Sequence, residues 1–295
     1  MKYRSIKRIL PAQKVNMGGN LLDQPLPFQG IEQIDPFLLL HHWSSTFPGS
    51  QDQRDIGVGP HPHRGFSPVT FIYKGAVHHR DSRGNDDIIH AGGIQWMNSG
   101  KGIIHSERPT SEIAKNGGEF EIIQIWVNSP SSSKMIDPSY QAHQKNKIPL
   151  FTDTNGTEIQ IVCGEFKDNK GPIEATSDLL ILNIDMKAGS EIEIPLPNNF
   201  EALIYQLNGR AEFSEEETTF TKNMTWFNQD GEGIKLKCEQ DARLLFLSGR
   251  PIEEPMTSYG PFVMNDQTEI MEAMRDYQMG KMGMLVEEFE PAEDR

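Results

Sequence analysis

From Phe66 onward, short runs of β-forming residues are cut by glycine and asparagine turns, and this punctuation limits the fold more than any other feature. Residues 69–73 (Val-Thr-Phe-Ile-Tyr) stop before Gly75, 76–79 stop before the Asp81 to Asn85 turn, and 94–97, 103–105 and 120–127 follow. Upstream, Asp35 and Pro36 lead into a buried run at 37–40, and a Gly- and Asp-rich loop spans 48–59. A second series begins after 150, with candidate strands at 159–166, 179–186, 191–194, 203–207, 211–213, 225–227, 234–238 and 244–247. Asn208-Gly209 in the middle of it reads as a hairpin turn. Many short strands with Gly and Asn turns predict an all-β barrel or sandwich in each half.

The halves divide at a polar stretch, so the expected plan is 1–135, a linker over 136–150 with one helical turn near Tyr140, and 151–295. Laid over each other at an offset of 134, Gly75 falls on Gly209 and Phe71 on Tyr205, while His61 and His63 fall on Pro195 and Pro197. The second half is therefore expected to repeat the strand plan without metal ligands. The tail differs: seven of the thirteen Met lie within 256–284. Asp266 and Glu269 make a capping-box-like start, Ile270, Met274 and Tyr277 share a helical face, and Gly280 can end the helix. Those methionines read as adaptable core packing for a terminal helix.

The chemistry gathers on two pairs of residues. His61 and His63 are two apart on an extended segment, so their rings point the same way. His105 and Glu107 repeat that spacing. Side by side, the two segments offer three imidazoles and a carboxylate to one divalent ion. Such nitrogen and oxygen donors suit a mononuclear non-haem iron(II) centre with open positions, with Zn, Mn, Ni, Co or Cu as alternatives. The absence of a Cys ligand disfavours structural zinc. Of the other candidates, His79, Trp96, Gln124 and Trp126 are placed along the pocket, and Cys163 and Cys238 are read as small buried hydrophobes.

Lys+Arg 28 against Asp+Glu 42 gives a net charge of -14, which disfavours direct nucleic-acid or membrane-surface binding. No apolar run approaches the ~20 residues of a membrane span, and the basic N-terminus lacks a signal-peptide apolar segment. Two cysteines without CxxC spacing fit a reducing cytoplasm.

His61-Pro62-His63-Arg64-Gly65-Phe66, Asp81-Ser82-x-Gly84-Asn85 and Gln95-Trp96-Met97-x-x-Gly100-x-Gly102-Ile103-x-His105-x-Glu107 resemble the pirin family of the cupin superfamily. Gln124-x-Trp126-Val127-Asn128 and Tyr259-Gly260-Pro261-Phe262-Val263-Met264-Asn265 are similar to it too. The resemblance spans nearly the whole chain. It implies a bicupin, two β-barrels (double-stranded β-helices) packed face to face with a C-terminal helix, and iron in the N-terminal barrel on His61, His63, His105 and Glu107. It also implies either a quercetin 2,3-dioxygenase-like enzyme or a regulator. The enzyme would act on a small flavonol-type aromatic with dioxygen, as a cytoplasmic monomer, with Glu107 taking the substrate's hydroxyl proton. The regulator would be a metal- or redox-sensing protein that binds a partner protein, a transcription factor or a metabolic enzyme, without significant turnover. A further cupin reaction, such as isomerisation on another metal, is the weaker option. The sequence departs from the family pattern at Ser67, where many members carry Glu, at Ala91-Gly92-Gly93 in place of Pro-Gly-Asp, and at His41-His42 in place of an acidic pair.

Overall fold

The computed structural model describes residues 1–213 and 218–289, and these divide into two compact units. The units are not the consecutive halves expected from the polar stretch. One comprises Met1–Val15, Asp23–Leu39 and Lys147–Ile252; the other comprises Asn16–Leu22, Leu40–Asn146 and Glu253–Arg295. The chain ends are exchanged relative to 1–135 and 151–295. The reason is strand pairing: Ile6–Pro11 runs antiparallel to Asn223–Phe227, so the N-terminus completes the sheet of the late strands.

In that unit the sheet order is Ile6–Pro11, Asn223–Phe227, Glu201–Glu212, Gly233–Gly249, Leu179–Met186, Glu158–Cys163 and Leu150–Thr152. Alternate residues such as Leu182, Ile184, Ile204, Leu244 and Phe246 are buried in one core, as period-two patterning requires. Asn208-Gly209 does not turn the chain. It lies inside Glu201–Glu212, whose register against Gly233–Gly249 shifts around it, so the pair is a β-bulge. Gly209 sits at φ 74, and a Cβ there would stand 2.1 Å from the Asp241 carbonyl oxygen.

The other unit holds the sequence motifs. One sheet has the order Val58–His63, Ile103–Pro109, Ala76–Asp81 and Asp86–His90. A second includes, in order, Ser139–His143, Ile94–Asn98, Phe66–Lys74 and Gly118–Asn128 among its seven strands. The expected linker is thus part of the barrel: Ser139–His143 pairs with Ile94–Asn98, with helical turns on either side of it at Ser131–Lys134 and Lys145–Lys147. Pro60 and Pro62 are tolerated in Val58–His63 because it is an edge strand, with no ladder donor needed on its open side. His42 is buried, and its Nε2 lies 3.1 Å from Glu121 Oε1.

The terminal helix is Gln267–Gln278. Asp266 accepts from the N–H groups of Thr268 and Glu269 at 2.7 and 3.0 Å. The Glu269 carboxylate reaches back to the Asn265 N–H at 2.8 Å, one residue before the cap. Ile270 and Ala273 are fully buried beside Met264 and Met282, but Tyr277 is exposed, so the buried stripe is narrower than expected. Met271, Met279 and Met284 are also exposed. No helix among the described residues is long and apolar enough to cross a membrane.

Lys134 ties the barrel's loops together. It is 2% exposed, and its Nζ donates to the Gly65 carbonyl (2.7 Å), Asn128 Oδ1 (2.7 Å) and the Val263 carbonyl (3.1 Å). Three N–H donors meet three acceptors, which makes a buried ammonium tolerable. Lys134→Met keeps the stem and strands the acceptors, at about 3 kcal/mol. Calorimetry should show a melting temperature lower by roughly 5–10 °C; an unchanged transition would mean that the ammonium does not brace these loops.

Candidate metal centre

Two adjacent antiparallel strands present the histidines. His105 lies opposite His61, and Ile103 opposite His63. The register shifts between His105 and Glu107, which lies opposite Val58, so Val58–His63 carries an extra residue near Gly59. With side chains alternating, His61, His63, His105 and Glu107 share the inner face. The ring centroids lie 4.8 Å apart for His61–His63, 4.4 Å for His61–His105 and 5.0 Å for His63–His105. One ring nitrogen from each of the three lies within 4.8 Å of the others, a group that could hold a metal ion.

Hydrogen bonds dispose two of the rings for ligation. His61 Nδ1 lies 2.8 Å from the Gly59 carbonyl oxygen. A carbonyl only accepts, so Nδ1 carries the hydrogen and Nε2 keeps its lone pair. His63 Nδ1 makes a longer bond of the same kind, 3.4 Å to the Pro261 carbonyl. His105 is 1% exposed, and neither ring nitrogen has a hydrogen-bond partner. A buried orphan nitrogen costs on the order of 1–3 kcal/mol unless something binds it. Burial pushes His63 and His105 well below the ordinary imidazole range and lowers His61 too, although the Gly59 bond and Glu107 oppose that for His61. Neutral imidazole is the ligating form. The residues fit a divalent ion on three nitrogens.

Glu107 shares the face but is not in the three-residue cluster. Thr70 Oγ1 donates to its Oε1 at 2.7 Å, Gln95 Nε2 donates to the same oxygen, and Gln124 Nε2 donates to Oε2 at 2.6 Å. These donors come from the second sheet, so side chains of the two sheets meet over the carboxylate. Trp126 Nε1 donates to Gln124 Oε1 at 3.3 Å, and its ring lies 5.4 Å from His63 and 4.3 Å from Phe66. Gln124 and Trp126 thus border the centre.

Trp96 does not face this group. It neighbours Gln95 on one strand, and Gln95 points at Glu107, so Trp96 lies on the opposite face in the core. His79 is fully buried, 5.4 Å from His105, with its Nε2 3.2 Å from Asp81 Oδ2. Burial raises the Asp81 carboxyl, but bonds from His79, Asn85 and the Arg83 N–H outweigh it and hold it low. Tyr140 stacks on His79 at 4.1 Å, and its hydroxyl donates to Gln95 Oε1 at 3.1 Å. Burial first, then Asp87, Glu107 and Asp81, hold its phenol protonated. Sequence reasoning missed Thr70, Gln95 and Tyr140. Gln95 was legible only as Trp96's neighbour, and Tyr140 lay in the supposed linker.

The family model described as Pirin matches residues 20–127, and the Pirin C-terminal cupin domain matches 181–283. A pirin-like protein of Solanum lycopersicum is 34% identical over 281 residues, 94% of this chain and 92% of its own length. The quercetin 2,3-dioxygenase of Acinetobacter baumannii superposes with a TM-score of 0.90 at 34% identity, over 96% of this chain and 99% of that one. A bacterial pirin of Escherichia coli, solved in complex with nickel(II), shares the fold, with a TM-score of 0.66 at 17% identity over 83% of this chain and 98% of that one.

The lowered histidines set the metal-free protein's response to pH. A His whose folded value lies below the unfolded value of about 6.5 stabilises the fold above that pH. That stability is lost as pH falls through about 6.5. His41, pushed down to about 4 by burial, adds to the same loss. Metal-free protein should show a urea midpoint falling steadily from pH 7 to pH 5. His105→Leu should reduce the slope by up to one proton, leaving the share of His63, His61 and His41. An identical slope would mean that His105 is not held neutral.

Proposed function

The chain belongs to the pirin family, and from that premise we propose that it is a mononuclear iron(II) dioxygenase acting on a flavonol-type aromatic substrate. The observation that carries this is the cluster of His61, His63 and His105, the last two buried, beside a carboxylate fixed by three donors. The likeness to the Acinetobacter quercetin 2,3-dioxygenase supports the substrate class.

When bound, iron(II) supplies Lewis acidity and one-electron chemistry toward dioxygen. The chain supplies the rest. His61, His63 and His105 would hold the ion, with Glu107 as the fourth ligand and as the base for the substrate's hydroxyl proton. Thr70, Gln95 and Gln124 hold that carboxylate in place, so it enters the reaction oriented. Trp126 offers a half-buried indole, with Phe66 behind it, against which a flat aromatic ring can lie. Tyr140 braces Gln95 from the far side.

Oxygen consumption with quercetin, scaled to measured iron content, tests the reading. His105→Ala should lose iron and turnover together. Glu107→Gln should lower turnover by about 10²-fold or more as the proton acceptor goes. Its iron content tests the ligand role: unchanged loading would leave Glu107 as base alone. Full loading with no flavonol turnover would sink the dioxygenase reading in favour of a metal- or redox-sensing protein that binds a regulatory partner.

A further inference from the structure

The strand that carries His105 and Glu107 has a second face. Ser106 and Arg108 point away from the histidines, by the same alternation that gathers the inner set. Arg108 is 8% exposed. Its Nη1 donates to the carbonyls of Gln53 (3.3 Å), Arg54 (2.8 Å) and Ile56 (2.8 Å). Its Nε and Nη2 donate to the two oxygens of Glu287 at 2.7 and 2.8 Å, a two-pronged pair. Two residues on, the Phe289 ring centre lies 5.0, 5.2 and 5.5 Å from the guanidinium carbons of Arg54, Arg80 and Arg108.

Arg80 completes the pocket and is not saturated by it. It is 8% exposed, and its Nε donates to Asp86 at 3.1 Å. Its Nη1 is buried without a hydrogen-bond partner, 4.0 Å from the Glu287 oxygen that Arg108 Nε already engages. Glu287 engages Arg108 with both oxygens and leaves a donor of Arg80 idle. A buried guanidinium with an idle donor calls for a carboxylate seated deeper.

The tail holding Glu287 is anchored at its start and lies against the protein through alternate residues beyond it. Met282 is fully buried, and its carbonyl accepts from Ser82 Oγ at 2.8 Å. Beyond it burial alternates: residues 285, 287 and 289 are half-buried, while 284, 286 and 288 are exposed. The segment lies extended and grips through alternate side chains.

We propose that Arg54, Arg80 and Arg108 form a docking site for a carboxylate-x-aromatic peptide segment, filled in cis by Glu287 and Phe289 and taken by an acidic-aromatic segment of a partner protein that displaces them. The site stands apart from the metal chemistry, but it backs the strand that presents His105 and Glu107, so exchange of occupant acts on that strand from behind. The cis tail competes at the high effective concentration of a short tether, which keeps weak acidic segments out.

The test uses the full chain and a fluorescein-labelled peptide of residues 281–295, followed by fluorescence polarisation. The peptide should bind the E287Q/F289A variant, whose own tail is disabled, at least tenfold tighter than the wild type. Adding Arg80→Gln to that variant should weaken binding at least tenfold, and adding Arg54→Gln, an exposed position that leaves the core intact, at least threefold. Unlabelled peptide with the same two substitutions should not compete. Equal binding to wild type and E287Q/F289A, absence of binding to that variant, or indifference to both arginine changes would overturn the proposal. So would a concentration-dependent wild-type dimer abolished by E287Q/F289A, which would make a second copy's tail the occupant. Hydrogen exchange at residues 103–109, read on metal-free protein, should quicken in E287Q/F289A and slow again with saturating peptide.

Discussion

The pairing of His105 with His61 across two antiparallel strands is the constraint on which this site depends. A one-residue slip in that register would turn His105 and Glu107 outward and Ser106 and Arg108 inward, because the side-chain period is two. Two things prevent it. The bulge near Gly59 absorbs the irregular step without moving His61, and that carbonyl also fixes the His61 tautomer. On the other side, Glu107 is paired opposite His79 on Ala76–Asp81. The ligand strand is clasped on both edges, so three rings from two segments can sit within 5.0 Å of one another in a buried place.

Electrostatics then follows from burial. Desolvation removes charge from the imidazoles, which is the state a metal requires and which water-exposed histidines would share only in part. The carboxylate is treated in the opposite way. Glu107 is 8% exposed, yet three neutral donors converge on it. Neutral rings and a hydrogen-bonded carboxylate are thus held side by side without a permanent positive charge between them. A divalent ion would supply that charge, which is why the donor set is better explained by an ion than by core packing.

How much of this was legible in the sequence depends on whether the cause was local. The i, i+2 spacing of His61 with His63 and of His105 with Glu107, the Asp266 cap and the strand runs are local, and the structure shows them where the residues imply. The pairings are not local. Nothing in residues 6–11 announces Asn223–Phe227 as their partner, so sequence order alone groups each chain end with its neighbouring half and not with the unit it joins. Asn208-Gly209 carries a turn signature, but a long partner strand converts it into a bulge. Polarity made 136–150 look like a linker, whereas Tyr140 is polar for the sake of Gln95. Gln95 and Trp96 are adjacent, and only the strand's facing decides which of them reaches Glu107.

That last ambiguity also shows where control over the centre can come from. A strand whose inner face carries ligands presents an outer face of equal length one residue out of phase. Here it is not left to solvent: Ile104 packs against the cluster of Met282 and Ile270, and Arg108 is tied to carbonyls at residues 53–56 and to Glu287. The backbone between the faces is shared, so Arg108 and its contacts bear on the same strand as Glu107 and His105. Close-packed interiors transmit strain instead of absorbing it. The inner face tolerates little movement, because three nitrogens must stay within reach of a single ion. The outer contacts, made partly by the last described residues of the chain, are therefore the mechanical complement of the metal centre.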